Sequence, residues 1–245
     1  MTRYGMVIDL DRCMGCRACM EACKVENSTP PASFFMYVFR LEEGEYPSAR
    51  VSFLPRPCMH CDNAPCVKVC PVGARYKRED GIVATDWDRC IGCRYCEVAC
   101  PYGVNTFNWM DPRENAYLDW DDEDVAAVSG GAVPPYRNPA LDEPYGPEQR
   151  RIAGGGHVRG VMEKCTFCVH RVEDGLDPAC VQTCPVRALT FGDLDDPGSA
   201  VSRALAGRHG FRLLEEVGTE PRVHYVGGAP PGPEAREVEE PVAEV

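Results

Sequence analysis

The chain has 245 residues, with Lys+Arg 26 against Asp+Glu 38 and a formal net charge of −12. That balance excludes a general nucleic-acid binder, which needs a basic footprint to neutralise phosphates, and docking on anionic lipid through a polybasic patch. The longest purely apolar run, Phe34–Phe39, is far short of the roughly 20 residues that span a bilayer. The stretch MTRYGMVIDLDRC reads as carrying neither an apolar export core nor a twin-arginine pair.

Taken in order, Tyr4–Asp9 alternates weakly and reads as a strand leading into Cys13, Cys16, Cys19 and Cys23, spaced C-x2-C-x2-C-x3-C. Met20–Glu26 reads as a short helix past the third of these. A second group follows, Cys58-x2-Cys61-x4-Cys66-x3-Cys70 and then Pro71, with a helical turn expected over Val67–Val69. Ala74–Lys77, a Glu-Asp-Gly turn and Ile82–Thr85 form a predicted hairpin. The third group, Cys90, Cys93, Cys96 and Cys100 before Pro101, repeats the spacing of the first. Asp111–Asp124 holds seven acids against one arginine, and 130–160 is rich in Gly and Pro. The segment 111–160 therefore reads as a solvated loop, or else as a clasp on a partner subunit. The fourth group, Cys165-x2-Cys168-x11-Cys180-x3-Cys184 before Pro185, leads into a strand at Ala188–Phe191. The Gly/Pro- and Glu-rich tail from Gly227 to Val245 is expected to be extended or disordered alone, or to wrap a neighbour.

Sixteen cysteines, all in these four groups, decide the chemistry. Disulfide scaffolds reach that density mainly in small secreted domains. Zinc ribbons pair two CxxC knuckles and do not use C-x2-C-x2-C-x3-C-P. That spacing instead wraps three thiolates round one face of an iron–sulfur cubane, while the fourth cysteine ligates the other cluster of a pair. Groups one and three match at ten of fifteen positions, Asp9–Cys23 against Asp86–Cys100. Groups two and four form a looser pair, Ala64–Pro71 against Pro178–Pro185. This is the mark of a unit duplicated and then duplicated again. Gly15 and Gly92 are expected to let the backbone approach a cluster and aim N–H groups at its sulfides. Prolines after Cys70, Cys100 and Cys184 fix φ past the last ligand; Lys24 follows Cys23 instead, at no evident cost.

Other candidates are weaker. His60 and His170 lie close to cluster ligands and read as hydrogen-bonding or packing residues. Lys164, Arg12, Arg17, Arg89 and Arg94 abut ligands, where positive charge either raises a cluster's potential or pairs at the surface. Gly154–Gly156 does not complete a G-x-G-x-x-G fingerprint. No nucleophile–base pair is visible, so no catalytic residue is assigned.

The four motifs are carried by YGMVIDLDRCMGCRACMEACKVEN, CMHCDNAPCVKVCPVGA, DRCIGCRYCEVACPYGV and EKCTFCVHRVEDGLDPACVQTCP. In this order they resemble the iron–sulfur electron-transfer subunits of the DMSO reductase (molybdopterin oxidoreductase) family. Within it the likeness is greatest to the four-cluster subunits of polysulfide, tetrathionate and arsenate respiratory reductases. The resemblance implies an α+β fold of two ferredoxin-like units of the bacterial dicluster type, built around four clusters with long loops. Residues 1–52 and 161–226 would form the halves of one unit and 53–110 the other, with 111–160 an insertion and 227–245 a flexible tail.

The resemblance also implies four [4Fe–4S] clusters whose ligands are exchanged between groups. One would take Cys13, Cys16, Cys19 and Cys184, and its neighbour Cys165, Cys168, Cys180 and Cys23. The other pair would take Cys58, Cys61, Cys66 and Cys100, and Cys90, Cys93, Cys96 and Cys70. The implied partners are a molybdopterin (Mo or W) catalytic subunit acting on inorganic oxyanions or sulfur compounds, and an integral-membrane, quinone-interacting anchor. A separate anchor is expected because the C-terminal membrane helix of formate dehydrogenase subunits has no counterpart here. Membrane association would then come through partners, on either face. The alternative is a ferredoxin-like subunit of a hydrogenase or of a molybdenum-free quinol-oxidising complex. Apolar residues are too sparse for a large core independent of the clusters, so chelating iron out is predicted to cost most of the folded structure. Far-UV circular dichroism before and after chelation tests this.

Overall fold

The computed structural model describes residues 2–30, 32–109, 144–153 and 157–238. The elements in chain order are β1 (Tyr4–Asp9), α1 (Ala18–Asn27), β2 (Tyr37–Glu43), β3 (Arg50–Arg56), α2 (Pro65–Lys68), β4 (Arg75–Lys77), β5 (Val83–Thr85), α3 (Tyr95–Val98) and β6 (Thr106–Phe107). There follow β7 (Met162–Glu163), α4 (Val169–Glu173), α5 (Ala179–Thr183), β8 (Leu189–Asp193), α6 (Ala200–Leu205), β9 (Gly210–Phe211), β10 (Val223–Val226) and β11 (Arg236–Glu237). Short helices and small sheets are mixed along the chain, an α+β arrangement.

β1 lies where its sequence predicts, but residues 5–8 are all buried instead of alternating. The reason is its place inside a four-stranded sheet of order β8–β1–β10–β9, antiparallel to β8 and parallel to β10. Met6 and Ile8 face a core that contains cysteines. Val7 packs on the opposite side with Val226 and with Val201 of α6. With both faces covered, no polar position is left to alternate. The hairpin predicted after group two is present, with β4 and β5 paired Arg75↔Thr85 to Lys77↔Val83.

The helices start earlier than expected. α1 and α2 each begin just ahead of the third cysteine of their group, Cys19 and Cys66. In α2 the start is set by Pro65, whose missing N–H is tolerated in the first turn. Lengths differ too: α1 has 10 residues and its repeat, α3, has 4. Pro101 disfavours helical φ/ψ at Cys100 and stops α3. Lys24 imposes no such stop, so the helix runs on to Asn27. Its amine then ties down the following loop, donating to the carbonyls of Pro30 at 3.0 Å and Ser33 at 3.2 Å.

Two regions depart from expectation. The apolar run after α1 forms β2, which pairs with β3 on one side and β11 on the other. Pro55 is accommodated because β3 is an edge strand. The tail therefore does not leave the chain at Gly227. Gly228 N–H donates to Asp11, Gly232 N–H to Glu43 and Val238 N–H to the Arg40 carbonyl. The end of the 111–160 segment is likewise not a solvated loop. Tyr145, Ile152, Ala153 and His157 are buried, and Trp87 N–H donates to the Arg151 carbonyl at 2.9 Å. The two strands that flank this segment, β6 and β7, pair with each other, so the excursion leaves and returns at one place. Residues 111–143 and Gly154–Gly156 lie outside the described residues.

One buried apolar cluster runs through both duplicated halves and includes Cys19, Cys23, Cys58, Cys61, Cys165 and Cys180. The core is therefore not separable from the cysteines. Gly15 and Gly92 both have positive φ, 69° and 67°. A Cβ at Gly15 would strike the ring of Phe53, and one at Gly92 the carbonyl oxygen of Gly160. Gly92→Val is expected to cost about 1–2 kcal/mol from the left-handed backbone alone. The collision with Gly160 adds to that, and a lower thermal midpoint of the iron-loaded protein would register both.

Candidate metal centres

Three cavities are each walled by four cysteines. Cys13, Cys16, Cys19 and Cys184 surround the first. Cys58, Cys61, Cys66 and Cys100 surround the second. Cys70, Cys90, Cys93 and Cys96 surround the third. The remaining four are Cys23, Cys165, Cys168 and Cys180, all buried. Cys23 and Cys180 both interact electrostatically with Cys165 and Cys168. Asn27 Nδ2 bridges Cys23 Sγ at 3.5 Å and Cys168 Sγ at 3.8 Å. Every set takes three cysteines from one group and one from another, because α1 packs on α5 and α2 on α3.

Among the described residues, no three Cys, His, Asp or Glu side chains converge closely enough to hold a single metal ion. A zinc ion would draw four sulfurs to about 2.3 Å from one point. Soft sulfurs standing apart around a void fit a multi-iron cluster instead.

Burial, reinforced by neighbouring thiols, pushes Cys19, Cys61 and Cys165 up to about 12. Burial likewise raises Cys66 and Cys168 to about 11. Such groups stay neutral at pH 7 on their own, and become thiolates only against a bound cation. The backbone is arranged for anionic sulfur. His60 N–H donates to Cys58 Sγ at 3.5 Å and Phe167 N–H to Cys165 Sγ at 3.4 Å. Both residues sit at the same place in groups two and four, and both have positive φ. Arg17 and Arg94 repeat that conformation in groups one and three, with φ of 59° and 61°. The duplication read in the sequence is thus repeated in the backbone.

The secondary candidates divide. His60 is fully buried, stacks on Phe167 at 3.8 Å between ring centroids and accepts the Val83 N–H at 3.0 Å. Burial, with Lys164, Arg222 and Arg75 nearby, holds it well below the usual histidine range, so it packs as a neutral ring. His170 lies 2.9 Å from Glu26, again a structural contact. Arg12 and Arg89 are exposed, and Arg94 pairs with Glu97 at 2.6 Å over the ring of Trp109. Of the five flanking cations, Lys164 alone is buried; it donates to the carbonyls of Val83 and Cys165 and lines the second cavity. Asn27 and the fully buried Arg75 were not singled out from the sequence. The missing proline after Cys23 was the available signal for Asn27. Arg75 had no such signal, since it shares a short strand with the half-buried Tyr76 and Lys77.

Residues 49–115 and 152–194 match a family described as 4Fe–4S dicluster domain, and residues 12–74 match a second family of the same description. Between them they take in all sixteen cysteines. The chain is 43% identical over 229 residues to the arsenate respiratory reductase iron–sulfur subunit of a Shewanella species, covering 91% of this chain and 96% of that one. It is 44% identical over 227 residues to a subunit of the selenate reductase of Mesobacillus selenatarsenatis, covering 91% and 72%. The chain belongs to the family of iron–sulfur electron-transfer subunits of DMSO reductase-type complexes. It is also 37% identical over 253 residues to the iron–sulfur cluster-binding subunit of menaquinone reductase from Nitratidesulfovibrio vulgaris, covering 91% and 88%. As a member of this family with two dicluster domains and sixteen cysteines, it carries four [4Fe–4S] clusters.

Hydrogen bonds to sulfur favour the reduced, more negative cluster. Asn27→Leu removes the amide from Cys23 and Cys168, so the cluster beside them should become harder to reduce. A net hydrogen bond of about 0.5–1.5 kcal/mol corresponds to a fall on the order of tens of millivolts. A redox titration followed by electron paramagnetic resonance (EPR) reads that shift.

Proposed function

We propose that this chain passes single electrons between a molybdopterin (Mo or W) catalytic subunit and a quinone-interacting integral-membrane anchor, and so associates with the membrane through its partners. The four cysteine sets described above would each hold one cluster. Residues 1–52 with 161–226 would form one unit and 53–110 the other. The clusters would follow one another in the order group one, group four, group two, group three.

That order is supported by which groups feel one another across set boundaries. Cys19 acts on Cys23 and Cys180, linking the first set to the second. Cys58 acts on Cys165, linking the second to the third. Arg75 interacts with Cys96 on one side and with Cys66 and Cys58 on the other, linking the last two. The observation that carries the reading is the pattern of exposure. Cys16 and Cys93, in the two end sets, are exposed, and beside them Met14 and Ile91 are 59% and 63% exposed. Cys58, Cys61, Cys165 and Cys168, in the middle sets, are buried. A carrier needs its first and last sites within reach of partners and its inner sites shielded from water.

Among the described residues no helix is long and apolar enough to cross a membrane. The names of similar proteins include a menaquinone reductase and reductases of arsenate and selenate. These support a quinone-linked anchor and an inorganic oxyanion as the catalytic partner's substrate.

The native assembly, purified without oxygen, should contain about sixteen iron per chain, four per cysteine set, together with about one molybdenum or tungsten. Iron without either metal would move the relay to a different catalytic partner; zinc in place of iron would overturn it. The ligand exchange has its own test. Cys13→Ser and Cys184→Ser should alter the same EPR signal, and Cys23→Ser the one altered by Cys165→Ser. Paired loss of Cys13 with Cys23 would contradict the assignment.

A further inference from the structure

The two duplicated units are not electrostatically alike. CPVGAR (70–75) aligns without a gap with CPVRAL (184–189), and the last residue of each opens a strand, β4 at Arg75 and β8 at Leu189. Leu189 lines the cavity of Cys13, Cys16, Cys19 and Cys184. Arg75 lines that of Cys70, Cys90, Cys93 and Cys96.

Arg75 is only 2% exposed. Its Nη2 donates to Cys96 Sγ at 3.3 Å and to Asn105 Oδ1 at 2.8 Å. Its Nε and Nη1 are buried without a hydrogen-bond partner. No carboxylate among the described residues pairs with it. Burial opposes its charge, but Cys96, Cys66 and Cys58 outweigh that opposition. Arg75 lines the third cavity and donates to Asn105, which lines the second, so the guanidinium stands between the two.

A permanently charged group with idle donors is expensive to bury unless an anion stands against it. Four thiolates on an iron–sulfur core supply that anion, and each cluster gains a further negative charge on reduction. A fixed cation stabilises the reduced form most, and the low dielectric of the interior magnifies the effect.

We infer that Arg75 is a shared potential-setting residue, which raises the reduction potential of the cluster of Cys58, Cys61, Cys66 and Cys100 and of the cluster of Cys70, Cys90, Cys93 and Cys96. Leu189 gives the other unit no counterpart. Lys164, on the wall of the second cavity, is a further buried cation that acts on Cys66 of this unit and also on Cys165 of the other, so Arg75 carries the asymmetry. Electrons therefore rest more readily in the unit built from groups two and three. This inference rests on the cluster assignment proposed above.

The test uses the intact assembly carrying Arg75→Gln or Arg75→Lys. Iron content is measured first, and then the four midpoints by EPR-monitored redox titration. In Arg75→Gln, two midpoints should fall and two should hold. For the two that fall, the ratio of reduced to oxidised cluster at the wild-type midpoint should drop at least tenfold, which is about 59 mV for a one-electron couple. In Arg75→Lys an ammonium keeps the charge but cannot span both cavities, so one of the two should fall and the other hold. Should Arg75→Gln fail to assemble, the neutral Arg75→Met carries the test, and four unmoved midpoints there would make Arg75 a packing residue only. Full iron in both variants with unmoved midpoints, or an equal drift of all four, would overturn the inference. Wild-type assembly without four clusters would instead sink the assignment beneath it, and the inference with it.

Discussion

Sulfur buried in an apolar interior is the constraint on which the rest depends. The cysteines share their core with Met6, Ile8, Met59 and Phe167, and burial holds the deepest thiols protonated. A bound metal makes those positions anionic at neutral pH, and the [4Fe–4S] clusters supply it in the space between them. Short helices, left-handed residues ahead of ligands and backbone N–H groups turned toward sulfur are all consequences. They aim four sulfurs at a common void from chain segments far apart in sequence. Cluster binding and folding are for that reason one equilibrium.

Duplication supplied four copies of this device, and small departures between copies give each its character. Where proline follows the last cysteine, the helix stops at the ligand. Lys24 lets α1 continue by one more turn, and that turn brings Asn27 to two sulfurs of different groups and Glu26 to His170. At the strand that follows, one unit opens with an arginine and the other with a leucine. Neither change alters the ligands themselves. Both act on the surroundings of the sulfurs, where charge and hydrogen bonding set how readily a cluster takes an electron.

The remaining elements close the molecule around this centre. The sheet of β1, β8, β9 and β10 covers one side, with α6 behind it. β2 and β3 cover the Gly15 turn through Phe53 and are held by the tail through β11. The returning end of the long segment before group four slots His157 between Asn27, at 2.9 Å, and Glu163, at 2.7 Å. The exposed cysteines, Cys16 and Cys93, belong to groups one and three.

Much of this was legible in sequence, because ligand spacing is a local property. The four groups, their duplication, β1, the β4–β5 hairpin and the strand after group four all follow from short windows of residue pattern. The glycine in each leading CxxC of groups one and three was legible too, although what approaches it, Phe53 or Gly160, was not. Other features depend on contacts between distant segments. β2 hid in an apolar run with no alternation, since its partners are 50–56 and the tail. The tail's composition suggested disorder, yet its backbone finds hydrogen bonds on an exposed strand edge. Arg75 looked like any hairpin cation until packing buried it against Cys96. Sequence by itself determined which atoms can bind iron, because that depends on residue type and spacing. Tertiary structure decided which sulfurs share a void, a grouping that the family resemblance only implies, and it alone decided which charges stand beside them, because both are properties of distance through space.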